Sequence, residues 1–323
     1  MGVKELYNVA IIGAGQLGSR HLQAILRSEY EINIFIIDPS ADALKVAETR
    51  AEEISCSGKQ LTFSKNYSVL PEHITLAVIA TNSIHRLDAL QNLSNATNID
   101  YLILEKVLFQ NENDFYLAEE IISAKSIKCY VNCPRRMFNF YNNLRHDLSD
   151  SDEIELIYSG GAWGLACNAV HLLDLFSFLS GRAADKIDCS LLENYTESKR
   201  KGYYEVYGII SGSVSAKNRI ILKSDLTDRN STMIINSKSM SVYINESMRT
   251  AYTATKDNNW IYTEENIDIL YQSEMTNLVL KSLIETKKCN LTTYSESKNI
   301  HLPLLSSLTE YFKQKGIDGC PIT

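Results

Sequence analysis

The feature that most constrains the fold is a glycine-rich turn between two apolar runs. The run at 9–12 leads into Gly-Ala-Gly-Gln-Leu-Gly at 13–18, and a second run at 32–37 ends at Asp38. In a strand–turn–helix unit, such glycines allow a tight turn, close approach of a pyrophosphate and close helix packing. The helix N-terminus offers unpaired N–H groups to the phosphates. The residues expected to surround a dinucleotide here are Gly13, Gly15, Gln16, Leu17 and Gly18.

Asp38 bears on which dinucleotide binds. It lies 20 residues after Gly18, where a carboxylate can accept hydrogen bonds from a ribose diol. A carboxylate repels a 2′-phosphate, and no basic residue occurs at 39–41 to attract one. We therefore expect NAD rather than NADP. Asp38 can also cap a helix that starts near Ser40, and one residue can do both.

Composition limits the class of protein. A chain of 323 residues favours two domains, for which we expect 1–134 and 135–323. The net charge of −7 argues against a nucleic-acid or anionic-membrane partner. Seven cysteines without a CxxC pair indicate neither a metal site nor a disulfide framework. Because the sequence shows no signal peptide and no apolar run of about 18 residues, we expect a cytoplasmic protein.

The hydrophobic pattern changes near residue 134. Before it, near-continuous apolar runs alternate with helical stretches, which is typical of a parallel sheet buried on both faces. The strands predicted there are 8–12, 32–37, 75–80, 101–105 and 127–131, and the helices are 16–28, 40–53, 84–94 and 111–125. After it, the predicted strands are 153–159, 203–211, 214–223, 231–237 and 240–245, with helices at 168–180, 268–285 and 302–315. The predicted class is α/β: an N-terminal Rossmann-type, doubly wound parallel sheet, then a C-terminal α+β domain with an open, mainly antiparallel sheet.

Two other predicted strands end in polar residues. The strand at 75–80 is followed by Thr81 and Asn82, with a helix starting near His85. These side chains can bind a cofactor ribose or phosphate, or they can cap the helix, and the sequence leaves both interpretations open. The next strand ends at Glu105 and Lys106, where the nicotinamide is expected. A charge at a strand end is ordinarily the chain reaching solvent.

At Glu105-Lys106 the chain resembles the Gfo/Idh/MocA family, which includes glucose–fructose oxidoreductase and inositol dehydrogenase. In that family a Glu-Lys-Pro motif ends this strand, and its lysine lies at the catalytic centre. Val107 replaces the proline here. The pair Arg135-Arg136 also matches. The resemblance spans essentially the whole chain and implies cofactor contacts from Thr81, Asn82, His85 and Glu105.

The resemblance extends to residues 167–174. Spacings of four and three put Cys167, His171 and Asp174 on one helical face. His171 matches a histidine that faces substrate in the family, whereas Cys167 occupies the position of the usual aspartate. Either that carboxylate is lost, or Asn168 or a group from elsewhere replaces it. Without the resemblance, the favoured interpretation of His171 is a core histidine paired with Asp174.

These features and the resemblance together imply an NAD(P)-dependent oxidoreductase, with NAD favoured, that transfers a hydride to or from a secondary alcohol. Lys106 would stabilise charge on the reacting oxygen or act as the base, and His171 would accept or relay the proton. The resemblance implies a sugar, nucleotide-sugar or cyclic polyol substrate, a role in surface-polysaccharide biosynthesis, and a homodimer or homotetramer. The alternatives are an NADP-linked imine or pyrrole reductase and a non-catalytic NAD-binding sensor. The substrate contacts expected are Lys106, Arg136, Cys167, Asn168 and His171.

Overall fold

The computed structural model describes residues 5–55, 57–148 and 153–323. From the start of the chain to residue 131, the elements are β1 (Leu6–Ile12), α1 (Gly18–Leu26), β2 (Glu31–Ile37), α2 (Ala41–Glu52), β3 (Lys59–Ser64), β4 (His73–Ile79), α3 (Arg86–Ala96), β5 (Asn98–Leu104), α4 (Glu112–Ala124) and β6 (Lys128–Val131). The remaining elements are α5 (Asn139–Asp147), β7 (Glu155–Gly160), α6 (Leu165–Ser180), β8 (Lys186–Glu197), β9 (Tyr204–Ser213), β10 (Arg219–Ser224), β11 (Thr232–Asn236), β12 (Met240–Asn245), β13 (Thr250–Thr255), β14 (Thr263–Asn266), α7 (Gln272–Thr286), β15 (Thr292–Thr293) and α8 (Tyr294–Gln314). Short 3-10 helices lie at Tyr67–Val69 and Pro134–Met137.

The chain divides into two compact units that are not continuous in sequence. The first comprises Met1–Phe109, Asn113–Asn132 and Leu270–Tyr294, and the second comprises Gln110–Glu112, Cys133–Ile269 and Ser295–Thr323. This division differs from a single boundary after residue 134, because a late segment returns to the first unit. Within that segment, α7 packs on α1, and β15 pairs with the edge strand β6.

The sheet of the first unit has the strand order β15-β6-β5-β4-β1-β2-β3. All its pairings are parallel except that of β15 with β6. The central strands are buried on both faces, with Ile11, Val78 and Ile103 no more than 1% exposed. The predicted doubly wound parallel sheet is confirmed. The sequence pattern missed β3, whose residues are mostly half-buried and include polar side chains.

The sheet of the second unit is open and has the order β14-β13-β12-β11-β7-β10-β9-β8. Among the described strands of this sheet, only β7 and β10 pair in parallel, and the other neighbours are antiparallel. The apolar helix α6 packs against β9 and β10. This agrees with the predicted mainly antiparallel sheet. The strands β8, β13 and β14 and the helix α5 were not predicted. None of the helices in the described residues is long and apolar enough to span a bilayer.

Candidate functional site

The carboxyl ends of the parallel strands bring several predicted site residues to one edge of the first unit. Backbone hydrogen bonds continue the sheet ladder beyond the strands and hold the loops in register. They run from Gly13 N–H to Ile37 O (2.8 Å), Ala80 N–H to Ile12 O (2.8 Å), Glu105 N–H to Ile79 O (3.1 Å) and Asn132 N–H to Leu104 O (2.9 Å). Between β1 and β4 the strand order reverses, and doubly wound sheets bind ligands at such a reversal.

The three glycines of the first turn have different surroundings. Gly13 has a φ of +93°, and a Cβ there would stand 2.9 Å from the Thr81 nitrogen. A Cβ on Gly18 would stand 1.7 Å from the Gly13 carbonyl oxygen, whereas one on Gly15 would meet no described atom within 4 Å. No described side chain caps α1, and its first turn holds no acidic residue. An open glycine before an uncapped helix N-terminus fits a pyrophosphate.

Asp38 lies half-buried at the end of β2 and joins this turn to the next helix. Its Oδ2 accepts a hydrogen bond from the Ala14 N–H (2.8 Å), and its Oδ1 accepts one from the Ser40 N–H (2.8 Å). The N-cap of α2 is Ser40, whose hydroxyl accepts from the Ala43 N–H. Burial and the Asp38 charge raise the pKa of Tyr67 to about 12, which marks Tyr67 as a neighbour of this carboxylate.

Arg50 of α2 lies against the glycine turn and was not predicted from the sequence. Its Nη1 donates to the Gln16 carbonyl oxygen (2.7 Å) and to the Ser19 hydroxyl (2.6 Å), and its Nη2 donates to Gln16 Oε1. Burial and the neighbouring Arg20 charge lower the pKa of Arg50. Gln16 and Leu17 are exposed at the turn. No local sequence motif predicts this contact, because Arg50 lies in the last turn of α2, far along the chain from the glycine turn.

The loop after β4 holds the polar residues that were expected either to contact a cofactor or to cap α3. The Asn82 Oδ1 accepts a hydrogen bond from the N–H of His85 (3.1 Å), the residue that precedes α3, and no described side chain caps that helix. His85 itself is exposed immediately before α3. In the described parts of the chain, the buried hydroxyl of Thr81 finds no hydrogen-bond partner. A buried hydroxyl without a partner is costly, so Thr81 fits a polar group of a bound cofactor.

Glu105 lies in the interior of the first unit, at only 2% exposure, rather than at an open surface. Its Oε1 accepts hydrogen bonds from His21 Nε2 (2.8 Å) and Asn132 Nδ2 (2.6 Å). The network continues from His21 Nδ1 to the Thr276 hydroxyl (2.8 Å) and from Asn132 Nδ2 to Gln272 Oε1 (2.8 Å). Burial favours a raised pKa for Glu105, but His21 and Asn132 outweigh it and lower the pKa. The network around this carboxylate thereby links α1, β5, β6 and α7, and the cofactor contact expected of Glu105 stays a prediction.

Lys106 follows directly and is half-buried at the same edge. The Lys106–Val107 peptide bond is cis. Arg86, which is 1% exposed, donates from Nη1 to the carbonyl oxygens of Val107 and Leu108, the latter at 2.7 Å, and from Nη2 to the Thr81 carbonyl oxygen. Arg86 was not predicted from the sequence, because an arginine at the start of a helix is ordinarily solvated.

In the second unit, α6 begins after Gly164, which has a φ of +80°. Asn168 Nδ2 donates to the Trp163 carbonyl oxygen (2.8 Å), and the Cys167 thiol donates to the Gly164 carbonyl oxygen (3.5 Å). His171 follows one turn later and is half-buried. Asn168 and Cys167 therefore both bond the turn that precedes their own helix.

A carboxylate from another strand lies at the start of α6. Glu205 of β9 accepts a hydrogen bond at Oε2 from the Ala166 N–H (3.0 Å). A Cβ built on Gly164 would be 3.1 Å from the Cys167 sulfur and 3.4 Å from Glu205 Oε1, so the thiol and the carboxylate border the same spot. Glu205 is thus a carboxylate from a distant part of the sequence that lies beside Cys167. It lies there because α6 packs on β9, so no local sequence pattern predicts it.

Arg136, expected as a substrate contact, forms a buried ion pair within the second unit. Its Nε and Nη2 donate to the two carboxylate oxygens of Asp174 at 2.9 and 2.8 Å. The side chains are 7% and 1% exposed. Arg136 Nη1 also lies 3.7 Å from Glu296 Oε1. Asp174, considered above as a partner for His171, thus accepts two hydrogen bonds from Arg136.

No family model matches the chain, and no curated protein matches its sequence. Solved structures match it over nearly its whole length. A super-repressor mutant of Gal80p from Saccharomyces cerevisiae has a TM-score of 0.74 at 13% identity, covering 97% of each chain. The UDP-N-acetylglucosamine 3-dehydrogenase GnnA from Acidithiobacillus ferrooxidans has a TM-score of 0.70 at 11% identity, covering 94% of this chain and 97% of that one. The chain therefore shares the fold of these solved structures.

A third similar structure is an Agrobacterium radiobacter oxidoreductase in complex with NAD⁺, L-tartaric acid and magnesium. Its TM-score is 0.71 at 11% identity, with 92% of this chain and 94% of that chain covered. Identities this low establish the fold alone. These proteins include one named as a dehydrogenase and one named as a repressor. The fold alone therefore does not define an activity, which depends on the residues of the site.

Proposed function

We propose that this chain is an NAD-dependent oxidoreductase acting on a secondary alcohol of a sugar, nucleotide-sugar or cyclic polyol. One observation carries the proposal: Gly15, the Thr81 hydroxyl, which has no partner among the described residues, and Lys106 follow three neighbouring strands, β1, β4 and β5. Their loops meet at the edge where doubly wound sheets bind dinucleotides. The GnnA similarity supports a sugar-derived substrate, and a role in surface-polysaccharide biosynthesis extends that proposal.

The residues of the glycine turn would hold the cofactor phosphates through the N–H groups at the start of α1. Asp38 would accept the ribose hydroxyls, and its charge favours NAD over NADP because it repels a 2′-phosphate. The Arg50 guanidinium beside Gln16 adds positive charge near the phosphates. Thr81, together with Asn82 and His85, would contact the cofactor from the loop after β4. Bound NAD supplies the hydride acceptor that the alcohol oxidation needs.

Side chains of the protein itself stabilise the charge on the reacting oxygen and accept the hydroxyl proton. We assign Lys106 to hydrogen-bond the reacting oxygen, where an ammonium stabilises developing negative charge. His171 accepts the hydroxyl proton, since an imidazole titrates near neutrality. Glu205 supplies a carboxylate beside Cys167, where it can accept a hydrogen bond from a substrate hydroxyl.

The test combines NADH binding with turnover. Titration of NADH fluorescence gives the cofactor Kd, and a panel of cyclic polyols, hexoses and UDP-sugars is assayed by NADH formation. We expect Lys106→Met to lower kcat about 100-fold or more while NADH still binds. Lys125→Met, at an exposed position after α4, is the matched control and should retain activity. Full activity of the Lys106 variant would refute the assigned chemistry.

The similarity to Gal80p favours a second candidate, a non-catalytic NAD-binding regulator. As such a regulator, this chain would bind NADH with the same residues of the glycine turn but would exchange hydride with no compound of the panel. Lys106→Met would then change neither NADH affinity nor any reaction. The two candidates therefore differ in the turnover measurement and agree in the binding measurement.

A further inference from the structure

Arg86 is a buried cation placed between two loops of the candidate cofactor edge. Its guanidinium donates to the carbonyl oxygens of Val107 and Leu108 after β5, and to that of Thr81 after β4. A guanidinium at 1% exposure is retained at low cost only where hydrogen bonds replace its hydration. The planar fork of arginine can bond several carbonyls at once in a fixed geometry.

The backbone at Lys106 is consequently held on both sides. Before it, the Glu105 carboxylate is bound by His21 and Asn132. After it, the next two carbonyl groups are bound by Arg86. We propose that Arg86 is a positioning residue that fixes the direction in which Lys106 leaves the backbone, toward the cofactor held by the neighbouring loop. This inference rests on the proposed function, because it takes Lys106 as the group that acts on substrate.

The same guanidinium also couples the two loops to each other. Thr81 carries the partnerless hydroxyl assigned to the cofactor, and its carbonyl oxygen is one of the three acceptors. A shift of the Lys106 loop would therefore strain the loop that contacts the cofactor. A lysine at position 86 would keep the charge, but its single nitrogen lacks the planar fork that bridges both loops.

Two variants test the proposal: Arg86→Lys, which keeps the charge, and Arg86→Met, which keeps much of the volume. Arg27→Lys, at an exposed position, is the matched control. Circular dichroism checks folding, and NADH fluorescence gives the cofactor Kd. The decisive readout is the rate at which acetic anhydride acetylates Lys106, measured by mass spectrometry with and without saturating NADH. Lys125 is the internal reference.

In the unsubstituted chain and in the control, we expect NADH to slow acetylation of Lys106 but not of Lys125. In both Arg86 variants, NADH should still bind, but the protection of Lys106 should be lost. With a substrate from the panel, kcat should fall about 100-fold at unchanged KM, as expected for a misplaced catalytic group.

The outcomes separate this inference from the proposed function. If NADH leaves Lys106 unprotected in the unsubstituted chain, the proposed function fails whatever Arg86 does. If both folded variants keep Lys106 protected, the positioning role is overturned and the proposed function stands. If neither variant folds, Arg86 serves the stability of the fold, and the positioning role is overturned as well.

Discussion

Removing the guanidinium of Arg136 should leave the Asp174 carboxylate buried without its two donors. The pair is bidentate at 2.9 and 2.8 Å, and the side chains are 7% and 1% exposed. Breaking such a pair costs about 3–5 kcal/mol, because one charge stays buried without the opposite charge of its partner. This is a large fraction of the roughly 5–15 kcal/mol that stabilises a typical domain. We therefore expect Arg136→Met and Asp174→Leu each to lower the free energy of unfolding by about 3–5 kcal/mol.

The double variant should be more stable than either single variant, because apolar residues of similar volume replace a buried ion pair at little cost. Urea denaturation followed by tryptophan fluorescence measures this. Both tryptophans, Trp163 and Trp260, belong to the second unit, so the signal reports on the unit that contains the pair. The reasoning is refuted if Arg136→Met unfolds at the urea concentration of the unsubstituted chain. If it instead raises only the KM of a substrate, Arg136 contacts substrate.

Two further predictions concern the first unit. Gly18→Ala should weaken NADH binding by about tenfold or more and also lower stability, because its Cβ would collide with the Gly13 carbonyl at 1.7 Å. Gly15→Ala, which has space for a Cβ, should weaken NADH binding alone; an equal loss of stability in both variants, by urea denaturation, would contradict the assigned roles. Because the pKa of Glu105 is lowered in the folded state, its ionised carboxylate stabilises the fold at pH values above the ordinary pKa of 4.5. This stabilisation is lost as the pH falls through the lowered pKa. Urea midpoints should therefore fall on acidification in the unsubstituted chain and fall less in Glu105→Gln, and parallel pH profiles would argue against this.

Much of the fold could be predicted from the sequence because its signals are local. Apolar runs alternating with helical stretches are sufficient to indicate a parallel sheet, and the glycine turn locates its ligand edge. The strands β8, β13 and β14 lack such a signal. Most residues of β8 are exposed, and β14 is fully exposed, so little hydrophobic alternation marks them.

The candidate site was predictable only where one chain segment forms it. The glycine turn and Lys106 are read from short motifs, but Arg50, Arg86 and Glu205 act on loops that are distant in sequence. Glu105 shows the same limit: its position at the end of a strand does not indicate that His21 and Asn132 bind its buried carboxylate. The sequence alone does not indicate which distant residue a charged side chain contacts in the folded protein.

The return of α7 to the first unit affects how this chain can form during synthesis. Gln272 and Thr276 complete the polar network around His21 and Glu105, and they are made after most of the second unit. A ribosome-bound chain of 134 residues thus holds His21 and Asn132 before their later partners Thr276 and Gln272 have been made. The first unit is finished late, and a fragment that ends at residue 134 should need residues 270–294 added in trans to regain full stability.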